Sequence, residues 1–214
     1  MHSDNKDYVD NDTKKVLKGK TCMSDYKIIS GDGKEHIIHS KSEVTFEKRA
    51  TPVRMRATAQ DITERKKTEE KIRTLANIVE SSSDAIATIS LDDIITTWNK
   101  GAEKIYGYLS EEILGKSASI LSPNNLKDET KKLIEKVKLG VKIHHYVTQR
   151  LRKDGKPIYV SIALSPVFDS SRKIGAISAI VRDITQRIEA EKSLVEAEKT
   201  RKKDLHYRIK TIYK

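Results

Sequence analysis

The sequence predicts an α+β fold: a five-stranded antiparallel sheet with helices inserted between strands two and three, followed by a C-terminal helix. Three observations carry this. Asp-Gly pairs at Asp32-Gly33 and Asp154-Gly155 separate apolar runs of strand length, as hairpin turns do. Residues 99–139 read as helices lying between runs of strands. A short pattern also recurs at a constant offset of 122 residues: Asp32-Gly33-Lys34 as Asp154-Gly155-Lys156, and Asp61-Ile62-Thr63-x-Arg65 as Asp183-Ile184-Thr185-x-Arg187. Two motifs in register over that interval indicate a repeated whole domain, since the period exceeds that of stacking repeats.

Taken in order, residues 1–20 are polar and aperiodic and are expected to lack firm structure. Residues 26–30, 36–46 and 53–60 read as a three-strand meander, the last part of a first unit spanning 21–62. If the second copy starts near Leu75, the first would start upstream of Met1, so the chain is expected to open inside its first unit. Asp61-Ile62-Thr63-Glu64 reads as a capping box that starts a linker helix over 63–80, with Ile72, Leu75, Ala76 and Val79 as its apolar stripe. The complete second unit covers 81–185. Its strands are expected at 85–90, 94–98, 143–151, 158–168 and 176–182, and its helices at 99–108, 110–114 and 128–139. Asp183-Ile184-Thr185-Gln186 repeats the cap and opens an exit helix over 186–214.

Composition narrows the function. Hydrophobic residues make up 36% and charged residues 34%, polar for a globular chain yet enough for one core of domain size. No apolar run reaches the roughly 18 residues of a membrane helix, and Met1-His2-Ser3-Asp4 does not open a signal peptide, so a cytoplasmic location is expected. One cysteine, Cys22, excludes an internal disulfide or a cysteine-cluster metal site. The net charge of +11 is spread along the chain, with acidic residues interleaved, so nucleic acid is not an expected partner. No phosphate loop, nucleophile motif or metal-spaced histidine pair on a helix is present, and His144-His145 point to opposite faces of a strand. An enzyme constellation cannot be assembled, and no metal site is expected.

Trp98-Asn99-x-x-Ala102-Glu103-x-x-Tyr106-Gly107-Tyr108-x-Ser110-x-Glu112-Ile113-x-Gly115 resembles the PAS-domain signature. The Lys153-Asp154-Gly155 hairpin and the closing Asp183-Ile184-Thr185 resemble the C-terminal half of such domains. The likeness spans residues 75–185, and residues 21–65 resemble the last three strands of another copy. It implies a PAS fold, with a sensing cavity between sheet and helices and a C-terminal signalling helix. Cavity candidates are Ile89, Trp98, Ile105, Tyr106, Ile113, Leu121, Leu133, Val137, Leu151, Val160, Ile162, Leu164 and Ile177; for most of these positions ordinary core packing is the better account, and a purely structural or dimerising domain fits as well as a ligand-binding one. Haem-binding members carry a histidine on the long helix and flavin-binding members a cysteine in the helical segment. This second unit has neither, so no haem or flavin attachment signal is present and the cofactor is unknown.

Asp61, Thr63, Asp183 and Thr185 join the last strand of each unit to its helix and are expected to relay signal. Ile188, Val195, Lys202 and Ile209 with Glu191, Glu198, Leu205 and Ile212 form a weak heptad seam, pointing to a homodimer through the helices. Residues 202–210 resemble the start of a sensor-histidine-kinase dimerisation helix. There Tyr207 stands at the phosphoacceptor position, so His206 is a doubtful acceptor. The resemblance implies a non-catalytic fragment of a two-component histidine kinase, with a kinase or response regulator as partner and a small molecule as ligand. A stand-alone PAS interaction adaptor is the first alternative, and a basic nucleic-acid or membrane-surface binder a further and weaker one.

Overall fold

A computed structural model describes residues 14–18, 20–47 and 52–212, the last ten of these as backbone only. The chain divides into two compact units that meet in sequence between Ala76 and Asn77. The first holds an antiparallel meander of β1 (Cys22–Ile29), β2 (Glu35–Phe46) and β3 (Pro52–Asp61). In β1, half-buried and exposed residues alternate with the period of the pleat, whereas every residue of β3 is exposed. Within the segment expected to lack structure, residues 14–16 make a helical turn and Val16 is buried.

Helix α1 (Thr63–Ser81) follows β3 directly. The second unit then runs β4 (Ala85–Ser90), β5 (Ile95–Trp98), α2 (Lys100–Tyr106), α3 (Ser110–Ile113), two 3-10 turns, α4 (Lys127–Lys138), β6 (Ile143–Leu151), β7 (Pro157–Phe168), β8 (Ile174–Asp183) and α5 (Thr185–Ile212). Its five strands form one antiparallel sheet in the order β5-β4-β8-β7-β6. The helices are inserted between β5 and β6, the unit's second and third strands, giving the α+β architecture the sequence predicts.

The core described lies in this second unit. Ile158, Val160, Ile162 and Leu164 of β7 and Ile177, Ala179 and Val181 of β8 alternate inward, as period-2 patterning requires. Leu133, Ile134 and Val137 on one face of α4 close over them. Gly107 (φ 78°) and Gly155 (φ 78°) occupy the left-handed region at the end of α2 and in the β6–β7 turn, where a side chain would be strained.

The offset of 122 residues holds bond for bond. Ser30 N–H donates to Lys34 O (2.9 Å) in the first hairpin, and Arg152 N–H to Lys156 O (3.0 Å) in the second. Ile38 pairs with Asp61 across β2 and β3, and Val160 with Asp183 across β7 and β8. Arg65 Nε reaches Glu69 Oε1 at 2.8 Å, and Arg187 Nε reaches Glu191 Oε1 at 3.0 Å. The helix caps depart from the expected reciprocal box. Asp61 accepts from Thr63 N–H (2.9 Å), but Glu64 pairs forward with Lys67 (3.0 Å) instead of reaching back. The reason lies in the chain path: Asp61 still belongs to β3, so its backbone is committed to the sheet and not to the helix start.

Asn99 joins the pieces of the second unit. It is buried, and its amide makes four hydrogen bonds. The Oδ1 accepts from Ile86 N (2.9 Å) and Ala102 N (2.8 Å), and the Nδ2 donates to Val79 O (2.8 Å) and Asp84 O (3.1 Å). Asn99→Asp keeps the shape but turns two donor contacts into carboxylate–carbonyl repulsion. The expected loss is about 3 kcal/mol of unfolding free energy in urea titrations, because buried acceptors are left without donors. A loss below about 1 kcal/mol would show that the amide is not what holds these elements.

Candidate functional site

Sheet and helices of the second unit enclose a cavity of about 60 Å³. Its floor comes from β4 (Ala85, Ala87, Ile89), β7 (Ile162, Leu164) and β8 (Ala179, Val181). Ile95 and Trp98 of β5, Tyr106 of α2, Ala118, Leu121 and the α4 residues Thr130, Leu133 and Ile134 complete it, together with Arg150 of β6. The space exists because four alanines stand where longer side chains would meet the helices.

Of the positions expected from the sequence, Ile89, Trp98, Tyr106, Leu121, Leu133, Ile162 and Leu164 line the cavity. Ile105, Ile113, Val137, Val160 and Ile177 are buried in the core but stand outside the lining. Leu151 is corrected: it is only partly buried and does not line the cavity, whereas its neighbour Arg150 does. The β6–β7 register explains this. Tyr146, Thr148 and Arg150 oppose Ile162, Val160 and Ile158, whose side chains face inward, so Leu151 falls on the other face. His144 and His145 are both exposed, because the register slips between Ile143 and Tyr146 and His145 takes φ 50°. Neither reaches the cavity. Among the described residues, no three His, Cys, Asp or Glu side chains gather as a metal site.

The inward face of β6 carries a polar cluster that sequence reasoning missed. Glu129 of α4 accepts from Tyr146 OH (3.1 Å), Thr148 Oγ1 (2.9 Å) and Arg150 Nη1 (3.1 Å). Arg150 Nη1 also reaches Gln149 O at 2.8 Å, and the Arg150 side chain is 6% exposed. Polar residues at alternate positions of an otherwise apolar strand were the available signal. Across the cavity, the Tyr106 ring lies 5.4 Å from Trp98, whose Nε1 donates to Tyr108 O (3.1 Å). Burial pushes the Tyr106 phenol above its ordinary range, against a smaller opposing pull from Arg150.

Strands β7 and β8 leave the cavity and run straight into the clasp of the exit helix. Tyr159 N–H donates to Thr185 Oγ1 (3.0 Å), Ile184 N–H to Tyr159 O (2.9 Å) and Thr185 N–H to Asp183 Oδ1 (2.8 Å). Lys192, two turns along α5, donates to Tyr159 OH (3.1 Å) and lies 4.7 Å from the ring centre. The first unit repeats the clasp with Ile37, Ile62, Asp61 and Thr63, and His36 Nδ1 adds a contact to Asp61 Oδ2 (2.7 Å). The side chains of His206, Tyr207 and the C-terminal seam residues Leu205, Ile209 and Ile212 lie outside the described residues.

Comparisons with known proteins agree with this geometry. The family model described as PAS domain matches residues 83–186. Residues 83–186 are a PAS domain. "Two-component system protein A" of Emericella nidulans is 33% identical over 107 residues, covering 48% of this chain and 15% of that protein. The chain therefore spans about 15% of that relative's length. The PAS domain of a Colwellia psychrerythraea protein superposes with a TM-score of 0.51 at 26% identity, over 54% of this chain and 98% of that one. The PAS domain of an HTR-like protein from Haloarcula marismortui gives 0.50 at 22% identity, over 56% and 98%, a likeness of fold. No described helix is long and apolar enough to cross a membrane.

The first-unit clasp makes a titration prediction. Hydrogen bonds from the Thr63 hydroxyl, then from its backbone N–H, then from His36, hold the Asp61 carboxyl at about 2. A depressed carboxylate stabilises its fold fully above the unfolded value of about 3.9 and loses that contribution as pH falls through about 2. The Asp61 carboxyl carbon, followed by NMR, is expected to titrate near 2 in the native chain and closer to the ordinary range in Thr63→Ala. A midpoint near 4 in both proteins would show that the hydroxyl does not hold the carboxylate.

Proposed function

We propose that this chain is a sensory and dimerisation module of two-component signalling, a non-catalytic segment of a histidine kinase. The observation that carries this reading is the continuity of cavity wall and exit helix. Ile162 on β7 lies three residues from Tyr159, and Val181 on β8 lies two residues before Asp183. Occupancy that spreads the strands alters the Tyr159–Thr185 clasp and re-aims α5, with Asp183 and Thr185 as relay residues and Asp61 and Thr63 as their first-unit counterparts. The likeness to a two-component system protein supports the setting. The cavity volume suits a small molecule better than a haem or flavin, whose sites run to hundreds of Å³. The chain relays and does not catalyse: it is expected to take up no phosphate from ATP and magnesium, since Tyr207 stands at the acceptor position. Its location in this reading is the cytoplasm, and its partners are a kinase or response regulator, with no nucleic acid. An adaptor role uses the same surfaces without a kinase in the same chain.

Dimerisation is carried by the helices. On α1, Ile72, Leu75 and Ile78 are exposed apolar side chains at helical spacing, and on α5 Leu194 and Val195 are likewise exposed. Sedimentation is expected to give a dimer for the native chain and a monomer for Ile72→Asp/Leu75→Asp, with at least a tenfold weaker association. A variant that sediments as the native dimer would remove α1 from the interface; a native monomer would remove the dimerisation role.

A further inference from the structure

Every residue that lines the second-unit cavity is buried. The floor strands β4, β7 and β8 all lie inside the sheet, so their backbone N–H and C=O groups are committed to neighbouring strands. Polar side chains of the wall are tied to groups that do not line it. Thr130 Oγ1 lies 2.7 Å from Ser122 Oγ, Trp98 Nε1 donates to Tyr108 O, and Arg150 Nη1 donates to Glu129, Thr148 and Gln149 O. Among the described residues, the buried side-chain oxygen or nitrogen left without a partner is Asp93 Oδ1, and Asp93 does not line this cavity. What the wall offers is the methyls of Ala87 and Ala179, the branched ends of Leu133 and Ile162, and the rings of Trp98 and Tyr106.

Polarity and size together define what fits. A charged or hydroxylated molecule would leave its hydration behind for an alkyl and aromatic wall, a loss of about tenfold or more in affinity. An apolar cavity of about 150 Å³ stays dry and admits benzene, so about 60 Å³ leaves room for about two to four heavy atoms. A diatomic gas would leave part of that space empty and forgo contact with the wall. We propose that the cavity is a receptor site for a short uncharged hydrocarbon, an alkane or alkene of about two to four carbons. It is held by contact with Ala87, Ala179, Leu133 and the two rings, without a hydrogen bond. Ala179 stands on β8, the strand that ends at Asp183 in the clasp. This assignment rests on the sensory reading of the cavity and names the chemical class of its ligand.

Methyl NMR of the full chain reads occupancy at the wall itself, through Ala87, Ala179 and Leu133. Titrations under pressure with propane, and in solution with ethanol and sodium acetate at constant ionic strength, compare probes of similar size and different polarity. Propane is expected to shift those methyls saturably, at least about tenfold tighter than ethanol, with no saturable shift from acetate. Ala179→Val narrows the space and is expected to weaken propane at least about tenfold. Because a larger wall residue can disturb the core, Tyr106→Phe is the second variant. It keeps the ring, removes the hydroxyl and is expected to leave propane within about threefold of the native value. Ethanol or acetate as tight as propane, a tenfold loss of propane in Tyr106→Phe, or propane unaffected by a folded Ala179→Val would overturn the hydrocarbon assignment and leave the sensing cavity standing. No response to any of the three probes would overturn the assignment and the cavity's sensory role together.

Discussion

The second unit depends on one buried amide. Asn99 sits where the chain turns from β5 into α2, and its side chain satisfies two N–H groups and two carbonyls from three other stretches of backbone. In an apolar interior each of those groups would cost about 1–3 kcal/mol if left unpaired. The amide therefore fixes the end of α1, the start of β4 and the first turn of α2 relative to one another. The turn packs so closely that a Cβ on Gly101 would lie 2.2 Å from Asp84 O. With the turn fixed, Trp98 points inward onto Tyr106, and both face the space under the sheet.

That space comes from side-chain length. Ala85, Ala87 and Ala179 face Leu133 and Ile134 across a gap that larger residues would close. Beside it the polar groups hold one another, with Glu129 accepting from Tyr146, Thr148 and Arg150. Two of the strands that carry the floor, β7 and β8, also carry Tyr159 and Asp183, the residues that clasp Thr185. A cavity and a helix anchor thus share two strands over less than two turns' worth of chain, and a change at one has a short covalent and hydrogen-bonded route to the other.

Much of this was legible because it is written in local chemistry. Asp154-Gly155 supplies the positive φ of a hairpin, Thr185 supplies a hydroxyl at a strand–helix junction, and the inward alternation of Ile158 to Leu164 marks β7. The 122-residue offset proved to be an offset of hydrogen bonds as well as of letters. What was not legible depended on register and on small residues. Leu151 reads as more apolar than Arg150, yet pairing with β7 turns Arg150 inward. A cavity is defined by missing volume, so a search for bulky candidates finds core residues such as Ile113 and Val137 and passes over the alanines. The surface placement of His144 and His145 follows from a slip in pairing that residue types alone do not announce.

The central claim is that the cavity and the exit helix are mechanically joined through β7 and β8. Filling the cavity without any ligand tests it most directly: Ala87→Leu adds three carbons to a wall residue far along the sheet from Thr185. Backbone amide shifts and hydrogen exchange of the variant, compared with the native chain by NMR, would read the effect residue by residue. The account predicts changed shifts at Tyr159, Ile184 and Thr185, with exchange at Ile184 and Thr185 altered at least threefold. Changes confined to β4 and its immediate neighbours, with the Tyr159–Thr185 clasp unmoved in a folded variant, would contradict it.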